Sequence, residues 1–373
     1  MNKPAASFDA ADPATPSGER PQDHDRSRRA PGYQARYAPV GHPEIKQGRV
    51  GVLLVNLGTP NAPTAPAVRR YLAEFLSDER IVDLPRALWL PILHGVILNV
   101  RPGATARNYA KIWDNERNES PLRTYTRAQA AGVGKAFGDR IVTDWAMRYG
   151  EPSVASRLEA LKDKGCTRIL VVPLYPQYSA TTTASVHDAV FDAVRGMRWQ
   201  PALRFAPAFH DEPAYIDALA AVTRARLAAL DWAPECVVIS FHGLPQRYFD
   251  AGDPYHCHCA KTARLLREAM GWTDKFAPMA FQSKFGREKW LEPATEDTIE
   301  ELAADGVKRL AVITPGFTAD CIETLEEIDM AARETFIAAG GKEFDAIPCL
   351  NDAPEAIALL ETIVRRETAG WVD

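Results

Sequence analysis

One strand-and-turn signature occurs twice in this chain, and the two copies are separated by a constant offset of 185 residues. The copies span residues 52–60 and 237–245, and each is an apolar run that ends in a Gly-x-Pro turn. The residue before the glycine is Leu57 in the first copy and His242 in the second. A repeated strand and turn favour a fold with two similar halves. The single titratable group predicts a site between those halves.

Composition limits the class of protein. The chain has 373 residues, of which 46% are apolar and 25% are charged, as is typical of a globular protein with two domains. The net charge of −5 gives no basic surface for nucleic acid. The six cysteines show neither a disulfide framework nor a zinc-finger spacing, so we expect the protein to lie in the reducing cytoplasm. Residues 1–46 are poor in branched aliphatic side chains and are predicted to form a disordered tail.

Short apolar runs alternate with helical patterns along the rest of the chain. The runs show little polar alternation, which is typical of parallel strands covered on both faces. This order predicts an α/β fold with parallel sheets built from βαβ units. The predicted strands are 51–56, 141–147, 168–173, 202–206, 236–241, 276–282, 310–314 and 344–348. The predicted helices are 153–164, 182–196, 211–230, 259–270, 292–304, 322–338 and 353–366.

A second internal match supports the duplication. Residues 165–173 resemble residues 306–314, and each segment is Gly-x-x-Arg followed by an apolar run. We therefore predict an N-terminal domain over 47–205 and a C-terminal domain over 206–350. Residues 351–373 are predicted to form a helix that packs back on the domains.

Polar and aromatic residues follow the predicted strands. In open parallel sheets, ligands bind beyond the carboxyl ends of the strands. The residues predicted to lie there are Leu57, Arg148, Tyr175, Tyr178, His242, Gln282 and Thr318. His242 is the candidate base or metal ligand, because the usual pKa of an imidazole lies near neutrality. The alternative is a histidine that is simply hydrogen-bonded at a strand end.

The second candidate element is an acidic stretch from Asp320 to Asp329. Asp320, Glu323 and Glu327 have the spacing i, i+3 and i+7, which places side chains on one face of an α-helix. Such a row suits proton transfer or a hard cation, since neighbouring carboxylates raise one another's pKa. The alternative is a solvated acidic face whose helix is capped by Thr318 or Asp320.

Two further segments have open interpretations. The run His256-Cys257-His258-Cys259 contains four residues of metal-binding types, but consecutive ligands diverge around a helix start, which favours a structural role. The apolar segment 84–100 is too short and too interrupted for a transmembrane helix. It is predicted to form either a buried helix pair or an apolar lip beside a ligand or a membrane surface.

These motifs together resemble those of the ferrochelatases, from about residue 51 to about residue 358. The shared motifs are Val55–Pro60, Tyr175–Ser179, Ser240–Pro245, Gly252–Tyr255, Gln282–Lys284 and Asp320–Glu327. The resemblance implies two similar Rossmann-like domains, each a four-stranded parallel sheet flanked by helices, with a cleft between them. It implies insertion of Fe(2+) into protoporphyrin IX to give haem b, the last step of haem synthesis, with release of two protons.

The resemblance also assigns roles to residues. It implies that His242 and Glu323 are catalytic and bind the Fe(2+) substrate. Asp320 and Glu327 would form a path for the released protons. The residues that would line the porphyrin pocket are Leu57, Arg148, Tyr175, Tyr178, Gln282, Ser283 and Trp290. Leu57 favours protoporphyrin, because members that act on coproporphyrin tend to carry tyrosine there.

Two positions differ from the wider family pattern. Cluster-bearing members have a cysteine where this chain has Ala180, and no cysteine follows Cys349, so we expect neither an iron–sulfur cluster nor any other permanent cofactor. A monomer is then expected rather than a dimer. Cys321 stands where many members have histidine, which argues against a side route for metal through that position. We expect a cytoplasmic protein, with peripheral contact to the inner membrane through 84–100. The open alternatives are a cobalt chelatase, a non-enzymatic tetrapyrrole carrier and an exported two-domain binding protein.

Overall fold

The computed structural model describes residues 48–286 and 288–372, and these described residues form one compact unit. The predicted tail over 1–46 therefore lies outside the described residues.

Eight parallel strands form two sheets of four. The first sheet contains β1 (Arg49–Gly58), β2 (Val142–Tyr149), β3 (Cys166–Pro173) and β4 (Ala202–Phe205) in the order β2-β1-β3-β4. The second contains β5 (Cys236–His242), β6 (Met279–Gln282), β7 (Arg309–Ile313) and β8 (Glu343–Ile347) in the order β6-β5-β7-β8. All strand pairs within the sheets are parallel, and the two orders are the same. The predicted α/β class with two four-stranded parallel sheets is confirmed.

Twelve α-helices connect and flank these strands in the described part of the chain. The first six are α1 (Ala65–Ser77), α2 (Arg86–Ile92), α3 (Leu98–Ile112), α4 (Pro121–Phe137), α5 (Val154–Asp163) and α6 (Ser185–Arg195). The second six are α7 (Pro213–Ala228), α8 (Gln246–Asp250), α9 (Tyr255–Met270), α10 (Thr295–Ala304), α11 (Arg333–Ala338) and α12 (Pro354–Glu367). Three π-helical segments, Leu93–Ile97, Ala180–Ala184 and Glu323–Ala332, lie directly before α3, α6 and α11. Such segments are rare and often occur at functional sites.

Three long helices were not predicted from the sequence. α3 contains Pro102 and Gly103, and α4 contains Gly132 and Gly134, so both carry residues that usually interrupt helices. α1 had a readable signal, since its buried residues recur at helical spacing after a proline in its first turn.

The two sheets share one hydrophobic core. The largest cluster of buried side chains includes Val52 and Leu54 of β1 together with Val237 and Ile239 of β5. The helix α12 contributes to the same cluster and packs on both α4 and α7. The halves are therefore joined by buried apolar contacts, whose removal from water is the main stabilising term in folding.

The segment 84–100 forms α2, a π-helical turn and the start of α3. No residue of α2 is buried, which does not fit a buried helix pair. Every fourth side chain of the segment is a large exposed aliphatic group, in the series Leu84, Leu88, Ile92, Val96 and Val100. No helix in the described residues is long and apolar enough to cross a bilayer.

Candidate active site between the two sheets

A cavity of about 630 Å³ lies between the two halves. The first half contributes Leu57 and Tyr175, and the second contributes His242, Trp290 and Glu323. In β1 the run of buried residues is interrupted at Leu57, and in β5 it ends at His242. The duplicated position thus opens into one cavity from both sides, at the carboxyl ends of the strands, as is usual in open α/β sheets.

His242 has a defined tautomer. Its Nδ1 lies 2.7 Å from the carbonyl oxygen of Gly243. Because a carbonyl oxygen only accepts hydrogen bonds, Nδ1 carries the proton and donates it. Nε2 is therefore left with a lone pair in the neutral ring. A histidine in this state can accept a proton or bind a metal ion through Nε2.

The carboxylates that face the cavity from the second half's late helix are Glu323, Glu326 and Glu327. All three belong to the π-helical segment Glu323–Ala332. Glu326 is paired with Lys111 of α3 at 2.8 Å, whereas Glu327 is held by the second sheet. Glu326 was not predicted as a site residue, although its position three residues after Glu323 was a readable signal.

Glu327 is fixed by two neighbours from the end of β6. The hydroxyl of Ser283 donates to its carboxylate at 2.6 Å, and Gln282 Nε2 lies 3.3 Å away. Ser283 has a φ of +67°, a conformation that non-glycine residues seldom adopt. Burial raises the pKa of Glu327, and the hydrogen bond from Ser283 only partly offsets that rise. This carboxylate is thus prepared to accept a proton closer to neutrality than a solvated glutamate.

Glu323 lies among neutral polar groups. Burial raises the pKa of the Tyr71 and Tyr109 phenols, and the nearby charge of Glu323 raises each pKa further. Burial likewise raises the pKa of the Cys321 thiol, with Glu323 as the next cause. All three groups line the cavity and keep their protons at neutral pH. The negative charge of Glu323 is therefore available to an incoming cation or proton.

Asp320 does not share this face. Its carboxylate accepts hydrogen bonds from Thr324 at 2.9 Å, from the Cys349 N–H at 3.3 Å and from the Asn351 side chain at 2.6 Å. It lines a second cavity of about 270 Å³ together with Thr314 and Thr324. The prediction of one face for Asp320, Glu323 and Glu327 is wrong. Asp320 precedes the helix, and the helix is π-helical, so the spacing of an α-helix does not apply.

Three predicted pocket residues lie behind the cavity lining. Gln282 is buried, and its Nε2 donates to the Glu323 carbonyl oxygen at 2.8 Å. Arg148 donates to Asp78 at 2.5 Å and to the Ser185 hydroxyl at 2.7 Å. Tyr178 donates its backbone N–H to Nδ1 of His258 at 3.1 Å. In the described part of the chain these side chains do not reach the cavity surface, so they support its walls.

Two buried polar atoms of the lining have no hydrogen-bond partner among the described residues. They are the hydroxyl of Tyr175 and Nε1 of Trp290. Buried polar groups are nearly always paired, so unpaired ones next to a cavity suggest a ligand or water as the missing partner. Both were predicted as pocket residues.

The side chains of residues 256–259 diverge. His258 stacks on His210 at 3.6 Å, His256 stacks on Phe281 at 5.6 Å, Cys259 is buried and Cys257 is exposed. No group of three His, Cys, Asp or Glu side chains within the described ranges is arranged to hold a metal ion.

The fold of this chain is shared with solved structures of chelatases. The fold matches SirB from Bacillus subtilis with Fe3+, with a TM-score of 0.52, 14% identity, and coverage of 86% of this chain and 96% of that one. It matches equally the sirohydrochlorin chelatase SirB from Bacillus subtilis subspecies spizizenii in complex with cobalt, with a TM-score of 0.52 and 13% identity.

The chain belongs to the ferrochelatase family, since the family model described as Ferrochelatase matches residues 49–368. A ferrochelatase from Rhizobium meliloti is 57% identical over 337 residues, which cover 90% of this chain and 99% of the relative. One from Agrobacterium fabrum is 56% identical over 336 residues, which cover 90% of this chain and 98% of the relative. The chain is thus a metal-inserting enzyme of haem synthesis.

Proposed function

We propose that this protein inserts Fe(2+) into protoporphyrin IX and releases haem b and two protons. The observation that carries the proposal is one apolar cavity lined together by His242 and by the carboxylates of Glu323 and Glu327, with Nδ1 of His242 engaged by the Gly243 carbonyl oxygen. The cavity volume of about 630 Å³ falls in the range of small-molecule sites.

The residues divide the reaction between them. Free porphyrin carries two pyrrole N–H protons, and both must leave as the iron dication enters. His242 accepts a proton at Nε2, and Glu327 is prepared by its raised pKa to take up a proton. Glu323 supplies negative charge toward the Fe(2+) substrate. Leu57 and Trp290 hold the porphyrin ring in a bent form. Binding energy from contacts along the edge of the ring offsets the cost of that distortion.

The choice of porphyrin follows from the wall at Leu57. Leu57 and Ile322 of the second half both line the cavity and pack against the same buried apolar cluster, so the cavity is apolar there. A porphyrin with two carboxylate arms and two vinyl groups suits such a wall better than one with four carboxylates, because burying an unpaired charge is costly. We expect a lower KM for protoporphyrin IX than for coproporphyrin III, measured as metalloporphyrin absorbance. The reverse order would refute this choice.

A tetrapyrrole carrier is the second candidate, and the site argues against it. A carrier needs the apolar cavity and one histidine, but it has no use for three carboxylates on the same wall. Anaerobic assays with Fe(2+) or Zn(2+) and protoporphyrin IX separate the two. Insertion supports the enzyme, whereas tight binding of porphyrin without insertion supports the carrier.

The roles are tested by His242→Ala and Glu323→Gln, with Glu300→Gln as the matched control on the exposed face of α10. We expect both site variants to lose insertion while they still bind porphyrin, and the control to retain insertion. Near-normal turnover in both site variants would sink the assignment.

The exposed aliphatic stripe of segment 84–100 supports peripheral membrane contact from the cytoplasmic side. Leu84, Trp89 and Ile97 of this segment also line the cavity, so a membrane docked there would meet the cavity mouth. Leu88 is 66% exposed and Val100 is 76% exposed. Flotation with anionic vesicles should recover the wild type, and Leu88→Asp together with Val100→Asp should leave it in solution. Equal flotation of both proteins would exclude this surface.

We further propose that the enzyme is a monomer without an iron–sulfur cluster. Ala180 supports the absence of a cluster, because its side chain has no sulfur that could bind one. Its backbone N–H donates to Asp253 at 2.8 Å. The monomer is proposed because no cluster is then available to hold a dimer together. Analysis of bound iron and sulfide, with the molar mass from light scattering, tests both statements. A stoichiometric cluster or a stable dimer would contradict them.

A further inference from the structure

Two guanidinium groups line the cavity among the described residues, Arg101 on α3 and Arg247 on α8. The carboxylates in its lining are glutamates, and three of these belong to the π-helical segment. A porphyrin with two carboxylate arms would be repelled by those glutamates and attracted by the guanidiniums. We propose that Arg247 binds one carboxylate arm of the substrate. This inference rests on the proposed function and adds a specificity-determining residue to it.

Arg247 is held by two exposed carboxylates that can be exchanged for another anion. Its Nε lies 2.5 Å from Glu288 Oε1, and its Nη1 lies 3.1 Å from Asp83 Oδ2. The Asp83 and Glu288 side chains are 75% and 43% exposed, so they regain hydration when they release the arginine. Exposed ion pairs contribute little to stability. Exchange of a surface carboxylate for a substrate carboxylate therefore has a small cost.

The backbone around Arg247 does not depend on those ion pairs. The Tyr248 hydroxyl donates to the Ile81 carbonyl oxygen at 3.0 Å, across the cavity mouth. The Gln246 N–H donates to the Lys289 carbonyl oxygen at 2.9 Å. The helix α8 thus stays in place when the guanidinium changes partner.

The guanidinium is oriented for recognition of a planar anion. It lies 4.4 Å from the centre of the Tyr248 ring, and Tyr248 also lines the cavity. A stacked guanidinium presents its N–H groups at its edge, where a carboxylate can bind through two parallel hydrogen bonds. Arg247 follows His242 by five residues, so the anchor on α8 and the base at the end of β5 flank one short connection.

The test compares a porphyrin diacid with its neutral diester. Binding of protoporphyrin IX and of its dimethyl ester to the full chain is followed by quenching of tryptophan fluorescence. We expect Arg247→Gln to raise the Kd of the diacid roughly tenfold and to leave the Kd of the diester unchanged. Arg86→Gln is the matched control, because Arg86 lies on α2, pairs with Glu79 and does not line the cavity. It should change neither Kd.

The Asp83→Asn variant provides an independent test. It removes one competitor for Arg247 without removing the anchor, so the Kd of the diacid should fall about twofold or more while that of the diester stays constant. If Arg247→Gln changes the Kd values of both ligands equally, or changes neither, Arg247 serves only to hold the edge of the cavity together and the proposal is overturned. Insertion of Zn(2+) by wild type is measured in parallel. Normal insertion with an unchanged diacid Kd in Arg247→Gln refutes the anchor alone, whereas absent insertion by wild type refutes the proposed function.

Discussion

The two halves of this protein have the same strand order and differ in what they place at equivalent positions. Leu57 is the penultimate residue of β1 and His242 is the last residue of β5, and each is followed by a glycine. Leu57 lies opposite Arg148 on β2, between the register pairs Asn56–Met147 and Gly58–Tyr149. His242 pairs with Gln282 on β6. The scaffold of each half is thus the same, and the halves differ in the side chains at equivalent positions.

The supporting residues correspond as well. Arg148 connects the end of β2 to Ser185, at the start of α6, and Gln282 connects the end of β6 to the carbonyl oxygen of Glu323. Both bonds reach the helix that follows the late strand of their own half. In each half that helix begins with a π-helical segment, of five residues in the first and ten in the second. The second half therefore differs by a longer segment with three cavity carboxylates.

The largest expected effect is on kcat, and it distinguishes the residue before the glycine in the two copies of the strand-and-turn signature. His242→Ala should lower kcat by roughly 10²–10⁴, the usual contribution of a general base. Leu57→Ala should raise the KM for porphyrin and change kcat far less, since Leu57 contributes packing and no proton transfer. Steady-state kinetics with Zn(2+) and protoporphyrin IX measures both. Equal loss of kcat in the two variants would remove the distinction between wall and base.

The next effect compares acidic residues on the late helices of the two halves. Glu323→Gln should lower kcat by roughly 10²–10³, because it removes the charge that faces the metal substrate. Asp188 is an acidic residue of α6, the late helix of the first half, and it pairs with Arg80 on the surface at 2.8 Å. Asp188→Asn is the control and should leave kcat within about twofold. Strong loss in Asp188→Asn would show that the first half also takes part in proton transfer.

A smaller effect concerns the stability of the two turns. Gly58 has a φ of +121°, and a Cβ there would lie 1.9 Å from the Tyr149 carbonyl oxygen. Gly243 lacks the positive φ, and a Cβ there would lie 2.6 Å from the Gln282 carbonyl oxygen. Gly58→Ala should therefore lower the free energy of unfolding by more than about 2 kcal/mol, and Gly243→Ala by less. Chemical denaturation measures both, and the opposite order would contradict the comparison.

The smallest effect is a shift in pH dependence within the second half. Ser283→Ala removes a hydrogen bond that lowers the pKa of Glu327, so that pKa, already raised by burial, should rise further. Activity that needs ionised Glu327 is lost as pH falls through this pKa, so the acid limb should move to higher pH. The shift should be about one pH unit, since a hydrogen bond to a charged group is worth on the order of 1.5 kcal/mol. The same limb should be absent in Glu327→Gln, and an unshifted limb in Ser283→Ala would assign it to another group.

Most of the fold could be predicted because the strands are apolar, short and regularly spaced. The duplicated turn also placed Leu57 and His242 in one cavity. The face of Asp320 was mispredicted, because a period of 3.6 residues was assumed for a segment that is π-helical. Arg101 and Arg247 were missed as lining residues, because long charged side chains on exposed helices give no sequence signal until the opposite wall is known.

The shared core of the two sheets has a consequence for how the substrate is handled. Leu54 of the first half, Ile239 of the second half and residues of α12 belong to one buried cluster. A hinge motion that moved the halves apart would expose that cluster to water, which is costly for each buried side chain. The width of the gap is therefore set by the protein, and the ring has to adapt to it. We therefore expect porphyrin to enter and haem to leave at the rim of the cavity, where the contacts are exposed and weak.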